Sequence, residues 1–121
     1  MVFQVELLSK SWSVQCDIEL LDMVFINLIK NSIQALENKT NTQIKVRLRN
    51  AGKSKTIIEI EDNGEGMAHE VMNQIFVPFY TTKPDGSGIG LSVSNQIIRS
   101  HGGTIHVESE PGNGTVFVIK F

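Results

Sequence analysis

Asn27 and Asn31 stand four residues apart in a run whose apolar residues recur at helical spacing, so their carboxamides share one face of a helix. A carboxamide oxygen is a neutral, hard donor that suits Mg²⁺ and does not repel phosphate. The plainer reading of the pair is a solvated helix face, where asparagine is unremarkable. Asp62 carries a stronger signal. It shares strand parity with Ile58 and Ile60, so its carboxylate points the same way as the core. A carboxylate there needs a donor, and the amino group of adenine is one. The competing reading is an aspartate that turns to solvent or caps the next turn; Gly64 and Gly66 count against it, because they let backbone approach a flat ligand closely. Further on, Gly86-Ser87-Gly88-Ile89-Gly90 runs straight into a helical segment. The free N–H groups at a helix N-terminus attract phosphate. No Gly-Lys-Ser/Thr follows and no strand feeds the loop, so it is neither a Walker loop nor a dinucleotide fingerprint.

The elements that must position these residues can be read in order. Phe3, Val5 and Leu7 alternate with polar residues, as do Trp12, Val14 and Cys16, which predicts two short strands joined by a turn at Ser9-Lys10-Ser11. Residues 18–37 form a predicted helix with Asp17 as N-cap and an apolar stripe of Ile18, Leu21, Phe25, Leu28, Ser32 and Leu36. Ile44, Val46 and Leu48 alternate with Lys45, Arg47 and Arg49, a strand that is apolar inward and basic outward. A hairpin turn at Asn50-Ala51-Gly52-Lys53 leads to a return strand at 56–62. A short helix is expected at 68–75 and an irregular loop at 77–88, where Pro78, Pro84, Gly86 and Gly88 interrupt regular structure. A helix over 88–101 would bury Ile89, Val93 and Ile97 and stop at Gly102. Strands at 104–109 and 115–121 close the chain around Glu110-Pro111-Gly112-Asn113-Gly114. The expected fold is an α/β (α+β) two-layer sandwich: a mixed, mostly antiparallel sheet with about three helices on one face.

Composition narrows the function. A net charge of −2 leaves no basic footprint for nucleic acid. No apolar run is long enough to span a membrane and no signal peptide is evident, so a cytoplasmic location is expected, with no direct membrane contact. Cys16 is the single cysteine, and the three histidines lack metal-ligand spacing. Trp12 is expected in the core or at its rim, His106 on the polar parity of its strand, and His101 in the last turn of a helix.

The order of these motifs resembles the catalytic domain of sensor histidine kinases, within the GHKL superfamily of ATPases and kinases. Asn27-Leu28-Ile29-Lys30-Asn31-Ser32-Ile33-Gln34-Ala35 resembles the N box. Asp62-Asn63-Gly64-Glu65-Gly66-Met67 resembles the first glycine box, and Phe76-Val77-Pro78-Phe79-Tyr80 the F box. Gly86-Ser87-Gly88-Ile89-Gly90-Leu91-Ser92 resembles the second glycine box, and Gly112-Asn113-Gly114-Thr115 the closing turn. The likeness covers nearly all of residues 1–121, and implies one ATP-binding catalytic domain of Bergerat type without the helical dimerisation and phosphoacceptor domain. It implies ATP and Mg²⁺ as cofactors. Asn31 would hold the metal on the phosphates, Asn27 would assist, and Asp62 would meet the adenine amino group. Gly64, Gly66, Met67 and Thr115 would line the nucleotide site. Residues 77–88 would form a lid rooted by Phe76 and Phe79, with Lys83 reaching phosphate, and Gly86, Ser87, Gly88, Ile89, Gly90 and Leu91 cradling it.

The same likeness implies transfer of the ATP γ-phosphoryl group to a histidine on a separate helical domain, in two-component signalling. The partners would be that domain and, indirectly, a response regulator; the parent protein can be membrane-anchored. Two positions depart from the family pattern: Gln34 where many members carry Lys or Arg, and Ala35 where they carry an aromatic residue. Lys30 is not an obvious substitute for the cation, because it points about 100° away from Asn31 around the helix. His69-Glu70 imitates the start of a phosphorylated histidine site but falls between the first glycine box and the F box, where a surface helix is expected. The alternatives are a GHKL ATPase or anti-sigma serine kinase, or a nucleotide-binding module without catalysis. The first two place a general-base glutamate where this chain has Asn27, which cannot take a proton.

Overall fold

Alternation of apolar and polar residues builds five strands, seen in a computed structural model that describes residues 1–8, 15–52, 55–82 and 88–121. They are β1 (Val2–Leu7), β2 (Gln43–Asn50), β3 (Thr56–Asp62), β4 (Thr104–Ser109) and β5 (Thr115–Lys120), in the spatial order β1-β2-β3-β5-β4. β1 pairs with β2 in parallel, and the other neighbours are antiparallel. Three helices complete the described elements: α1 (Ile18–Ala35), α2 (His69–Met72) and α3 (Gly90–Ser100). The expected turn at 9–11, the strand residues Trp12 and Val14, Lys53 of the hairpin turn, and Lys83, Pro84, Gly86 and Ser87 lie outside the described residues.

One face of the sheet is apolar and carries the helices. Ile44, Ile58, Ile60, Ile105, Phe117 and Ile119 pack there against Leu21, Val24, Leu28 and Leu36 of α1 and Ile97 and Ile98 of α3. The opposite face is held by charge. Strand register sets Arg47 opposite Glu59 on one side and Glu6 on the other. Its guanidinium reaches Glu6 at 3.4 Å, Glu59 at 3.2 Å and Glu61 at 2.6 Å, and Arg49 meets Glu59 at 3.1 Å. Cross-strand pairs of this kind reinforce register as well as stability.

Several expectations shift in the fold. β1 pairs with β2, with Val5 opposite Val46, and the turn and most of the second strand expected after it lie outside the described residues. Parallel strands need a long crossover, and the connection containing α1 supplies it. Cys16 belongs to no strand. α1 starts where Asp17 caps it, the carboxylate accepting the Leu20 N–H at 3.3 Å, but it ends at Ala35 rather than 37. A turn takes over there, with Asn38 in the left-handed region at φ 64°. Ile18 is 72% exposed although it lies on the stripe by angle, because it is the first residue of α1, at the free end of that stripe.

The expected helix over 68–75 shrinks to the four residues of α2, followed by turns to residue 79. α3 begins at Gly90 rather than 88, since Gly88 has φ 74° and cannot join a right-handed helix. Its buried residues are Ser92, Ser94, Ile97 and Ile98, while Ile89 is exposed and Val93 half-buried. The reason is that α3 packs on α1 as well as on the sheet, and small serines let the helices approach.

His101 ties the two helices at their other ends. The Asp17 N–H donates to its Nε2 at 3.0 Å, so the ring proton resides on Nδ1, 2.7 Å from the Ile97 carbonyl. Gly102, at φ 77°, then stops α3 as expected. His69 lies on the exposed α2, and His106 sits 3.5 Å from Glu108 on the polar face.

The difference between the two ends of the α1 stripe is measurable. Leu28→Ala is expected to lower the unfolding free energy by about 2–5 kcal/mol. Ile18→Ala, placed on the same stripe by periodicity, should change it by less than about 0.5 kcal/mol. Urea unfolding of the two variants checks both.

Candidate functional site

The polar row of α1 faces a cavity of about 630 Å³. The loop after β3, residues 80–82 and the start of α3 form its other walls. Two close approaches fix its axis. A Cβ on Gly64 would lie 2.6 Å from the Ala35 carbonyl oxygen, and a Cβ on Gly90 would overlap the Asn27 carboxamide oxygen. The glycine loop therefore abuts α1 at position 35 and the start of α3 abuts it at position 27, about 12 Å apart along the helix.

At the first end stands Asp62, 2% exposed. Its Oδ1 accepts the Gly64 N–H at 2.9 Å. Burial pushes the carboxyl above the usual carboxylate range, while the Gly64 N–H, the Ser32 hydroxyl, the Thr115 N–H and the Lys39 charge pull it back. The Ser32 hydroxyl is fully buried and close enough to Asp62 to favour its ionised form, but the two do not meet in hydrogen-bond geometry, which leaves the hydroxyl without a hydrogen bond among the described residues. A buried acceptor with spare lone pairs and a buried hydroxyl without a partner form a place where a ligand's N–H and ring nitrogen would be satisfied. The fit to adenine rests on these two groups.

The loop that presents Asp62 is held from both sides. The Lys39 ammonium donates to the carbonyls of Asn63 and Gly64. The Gln43 N–H donates to Asn63 Oδ1 at 2.8 Å. Ser109 Oγ accepts the Met67 N–H at 2.8 Å, donates to the Gly114 carbonyl at 2.8 Å and lies 2.9 Å from Thr115 Oγ1. The Gly112 N–H donates to the Glu65 carbonyl at 2.7 Å. Glycines 64 and 66 were expected to admit a flat ligand. In the fold their lack of a Cβ admits protein backbone: Gly64 meets the Ala35 carbonyl, and Gly66, at φ 71°, meets the carbonyl of Glu110.

At the second end, Asn27 and Asn31 line the cavity together with Gly88, Gly90 and Leu91. Asn27 Nδ2 donates to Ser94 Oγ at 3.1 Å, which turns its carbonyl oxygen toward Gly90. Two neutral carboxamide oxygens next to a helix N-terminus suit Mg²⁺ carried on phosphates. That ion needs only one or two protein ligands when phosphate supplies others, and no cluster of three His, Cys, Asp or Glu exists among the described residues.

The predicted residues thus separate into groups. Asn27, Asn31, Asp62, Gly66, Met67, Gly88, Gly90, Leu91 and Thr115 converge on the cavity. Gly64 stands behind Asp62, Phe76 packs at the edge of the core, and Ile89 is exposed. Phe79 does not root the following loop with its ring, which is 78% exposed; its N–H donates to the Gly88 carbonyl at 2.8 Å, and a Cβ on Gly88 would overlap its backbone. Lys83, Gly86 and Ser87 are outside the described residues. Sequence reasoning missed Lys39, Ser94 and Ser109. Ser109 did carry a signal, since it occupies the inward parity of Ile105 and Val107.

Comparison with known proteins settles the family. Residues 16–121 match the model of the "Histidine kinase-, DNA gyrase B-, and HSP90-like ATPase" family. The chain belongs to that family. Sensor histidine kinases are among its relatives. It is 41% identical over 106 residues to sensor histidine kinase ZraS of Salmonella typhimurium, covering 88% of this chain and 22% of ZraS. It is 40% identical over 116 residues to sporulation kinase E of Bacillus subtilis, covering 96% of this chain and 15% of the kinase. The chain therefore spans about a fifth or less of these relatives. The nucleotide-free catalytic domain of histidine kinase ThkA superimposes with a TM-score of 0.84 at 31% identity, over 99% of this chain and 77% of that one. ThkA in complex with response regulator TrrA gives 0.79 at 30% identity, over 98% and 33%. The chain is a catalytic, ATP-binding domain of histidine-kinase type, with the expected mixed sheet. No helix among the described residues is long and apolar enough to cross a membrane.

Two outcomes test the geometry. Gly90→Ala should leave the melting temperature nearly unchanged, because the clash is with the end of a side chain. Displacement of Asn27 should nevertheless weaken ATP binding by about 10-fold, read by calorimetry. For Asp62, the raised pKa means that the folded state holds the proton more readily than the unfolded chain. Stability therefore falls as pH rises from the ordinary carboxylate value through the raised one. Asp62→Asn should raise the melting temperature of the nucleotide-free domain at pH 7, with the gain vanishing below about pH 4. The same variant should lose about 1.5–3 kcal/mol of ATP affinity.

Proposed function

We propose that residues 1–121 act as one catalytic domain that binds Mg-ATP and donates the γ-phosphoryl group to a histidine on a separate helical domain. One observation carries this reading: the phosphate end of the cavity has carboxamides and a helix N-terminus, but no carboxylate among its described residues. The cavity's carboxylates, Asp62, Glu65 and Glu37, belong to the end where the glycine loop meets α1. Asn27 cannot take a proton from water, and its amide is engaged by Ser94. Such a site positions and neutralises phosphate without activating water, which suits transfer to an external nucleophile.

In that transfer the bond between the γ-phosphorus and the β–γ bridging oxygen breaks, ADP leaves with the electron pair, and a bond forms to an imidazole nitrogen. Asp62 holds the base, and Asn31, helped by Asn27, holds Mg²⁺, which neutralises charge on the phosphates when bound. The α3 N-terminus supports the phosphate chain. The complex of ThkA with TrrA supports a response regulator as the downstream partner.

Radiolabelled ATP, this domain and a helical phosphoacceptor domain from a full-length kinase containing it, mixed in trans, test the proposal. The expected result is acid-labile phosphate on the acceptor histidine, abolished by Asn31→Ala. ATP binding without transfer would favour a nucleotide-dependent docking module. Alone, the domain should release phosphate far below ATPase rates, and Asn27→Glu should raise that release by less than the roughly 10²–10⁴-fold of a well-placed base. Rapid hydrolysis by the unmodified domain would favour an ATPase instead.

A further inference from the structure

Lys30 was set aside as a phosphate ligand because it points about 100° away from Asn31. The cavity is not centred on Asn31, however. Asn27, Lys30, Asn31 and Gln34 all line it, and they follow one another at i, i+3, i+4 and i+7, the spacing of a single helical face. Measured from Asn27, Lys30 is one turn on and about 60° around. Along α1 it is nearer Asn27, which meets the start of α3, than Ala35, which meets the glycine loop. It is the only lysine, arginine or histidine among the described residues that line the cavity. It has no ion-pair or hydrogen-bond partner among the described residues. The acidic residues of the cavity are elsewhere: Glu37 lies in the turn past the end of α1, whose last residue is about 7.5 Å of rise beyond Lys30, and Glu65 lies in the glycine loop, tied to Gly112. Among the described residues the cavity is polarised, with its carboxylates around the base end and its one cation on the α1 wall nearer Asn27.

We propose that Lys30 is the residue whose ammonium contacts the phosphate chain of the bound nucleotide, taking the charge-neutralising part that the uncharged Gln34 cannot. This rests on the nucleotide reading of the cavity. An ammonium on a four-carbon stem offers three donors and can follow a phosphate chain that shifts during transfer. Its exposure means that water and salt screen the contact, so the effect is moderate and salt-dependent.

Calorimetry with ATP and with adenosine, on the unmodified domain and on Lys30→Ala, Lys30→Gln and Lys30→Arg at low and high salt, tests this. Lys30→Ala and Lys30→Gln should weaken ATP by about 3- to 10-fold at low salt and leave adenosine within about twofold. Lys30→Arg should retain most of the ATP affinity, and the salt dependence should flatten in the two uncharged variants. Equal ATP affinity in Lys30→Ala and the parent overturns the assignment, as does an equal loss of adenosine and ATP, which would mark a structural role. Failure of the unmodified domain to bind ATP at all would instead remove the nucleotide reading on which the assignment stands.

Discussion

Burial of the α1 stripe against the sheet fixes the rotation of that helix, and the rest of the site depends on it. Val24 and Leu28 are completely enclosed. With 3.6 residues per turn, locking that stripe onto β3 and its neighbours leaves no freedom in where residues 27, 30, 31 and 34 point. They form a polar row beside the apolar stripe, and this row becomes one wall of the cavity. The helix serves as core element and as ligand wall because a helix offers distinct faces at no extra length. A turn of a few tens of degrees would take the carboxamides away from the start of α3, where Gly90 now touches Asn27.

The opposite end of the cavity is maintained at a thermodynamic cost. Asp62 lies at the end of β3, enclosed by protein, and is ionised less readily than a free carboxylate because burial outweighs the donors that reach it. A carboxylate there does not stabilise the empty domain. Its surroundings hold it nonetheless: Lys39 grips the carbonyls of the following loop, and Ser109 binds that loop to the turn between β4 and β5. Polar groups left short of partners in the empty fold are those a ligand can satisfy, and rigid support keeps them from relaxing toward other partners. Stability and binding therefore oppose each other at this residue, a familiar feature of functional sites.

Much of the fold could be read in advance where local patterns are strong. Strict alternation located β2, and β3 fell on the anticipated residues; Asp17 capped α1, and Gly102 closed α3. Each of these depends on a residue and its near neighbours along the chain: parity, a capping side chain, a positive φ. Patterns failed where a residue's environment came from distant segments. Ile18 and Ile89 were apolar at helical spacing and remain exposed, whereas Ser94 is buried because α1 lies across it.

By itself, the sequence determined the residue types able to bind a nucleotide, their order, and the elements carrying them, since these follow from short-range periodicity and side-chain chemistry. It also marked Asp62 as inward-facing before any neighbour was known. Only the tertiary structure decided which glycines meet protein backbone, that Phe79 holds its loop by its main chain, and that Lys30 shares a cavity with both asparagines. Such facts depend on how α1, α3 and the glycine loop are placed in relation to one another. That placement is set by burial of apolar area pooled from the whole chain, and no local pattern encodes it.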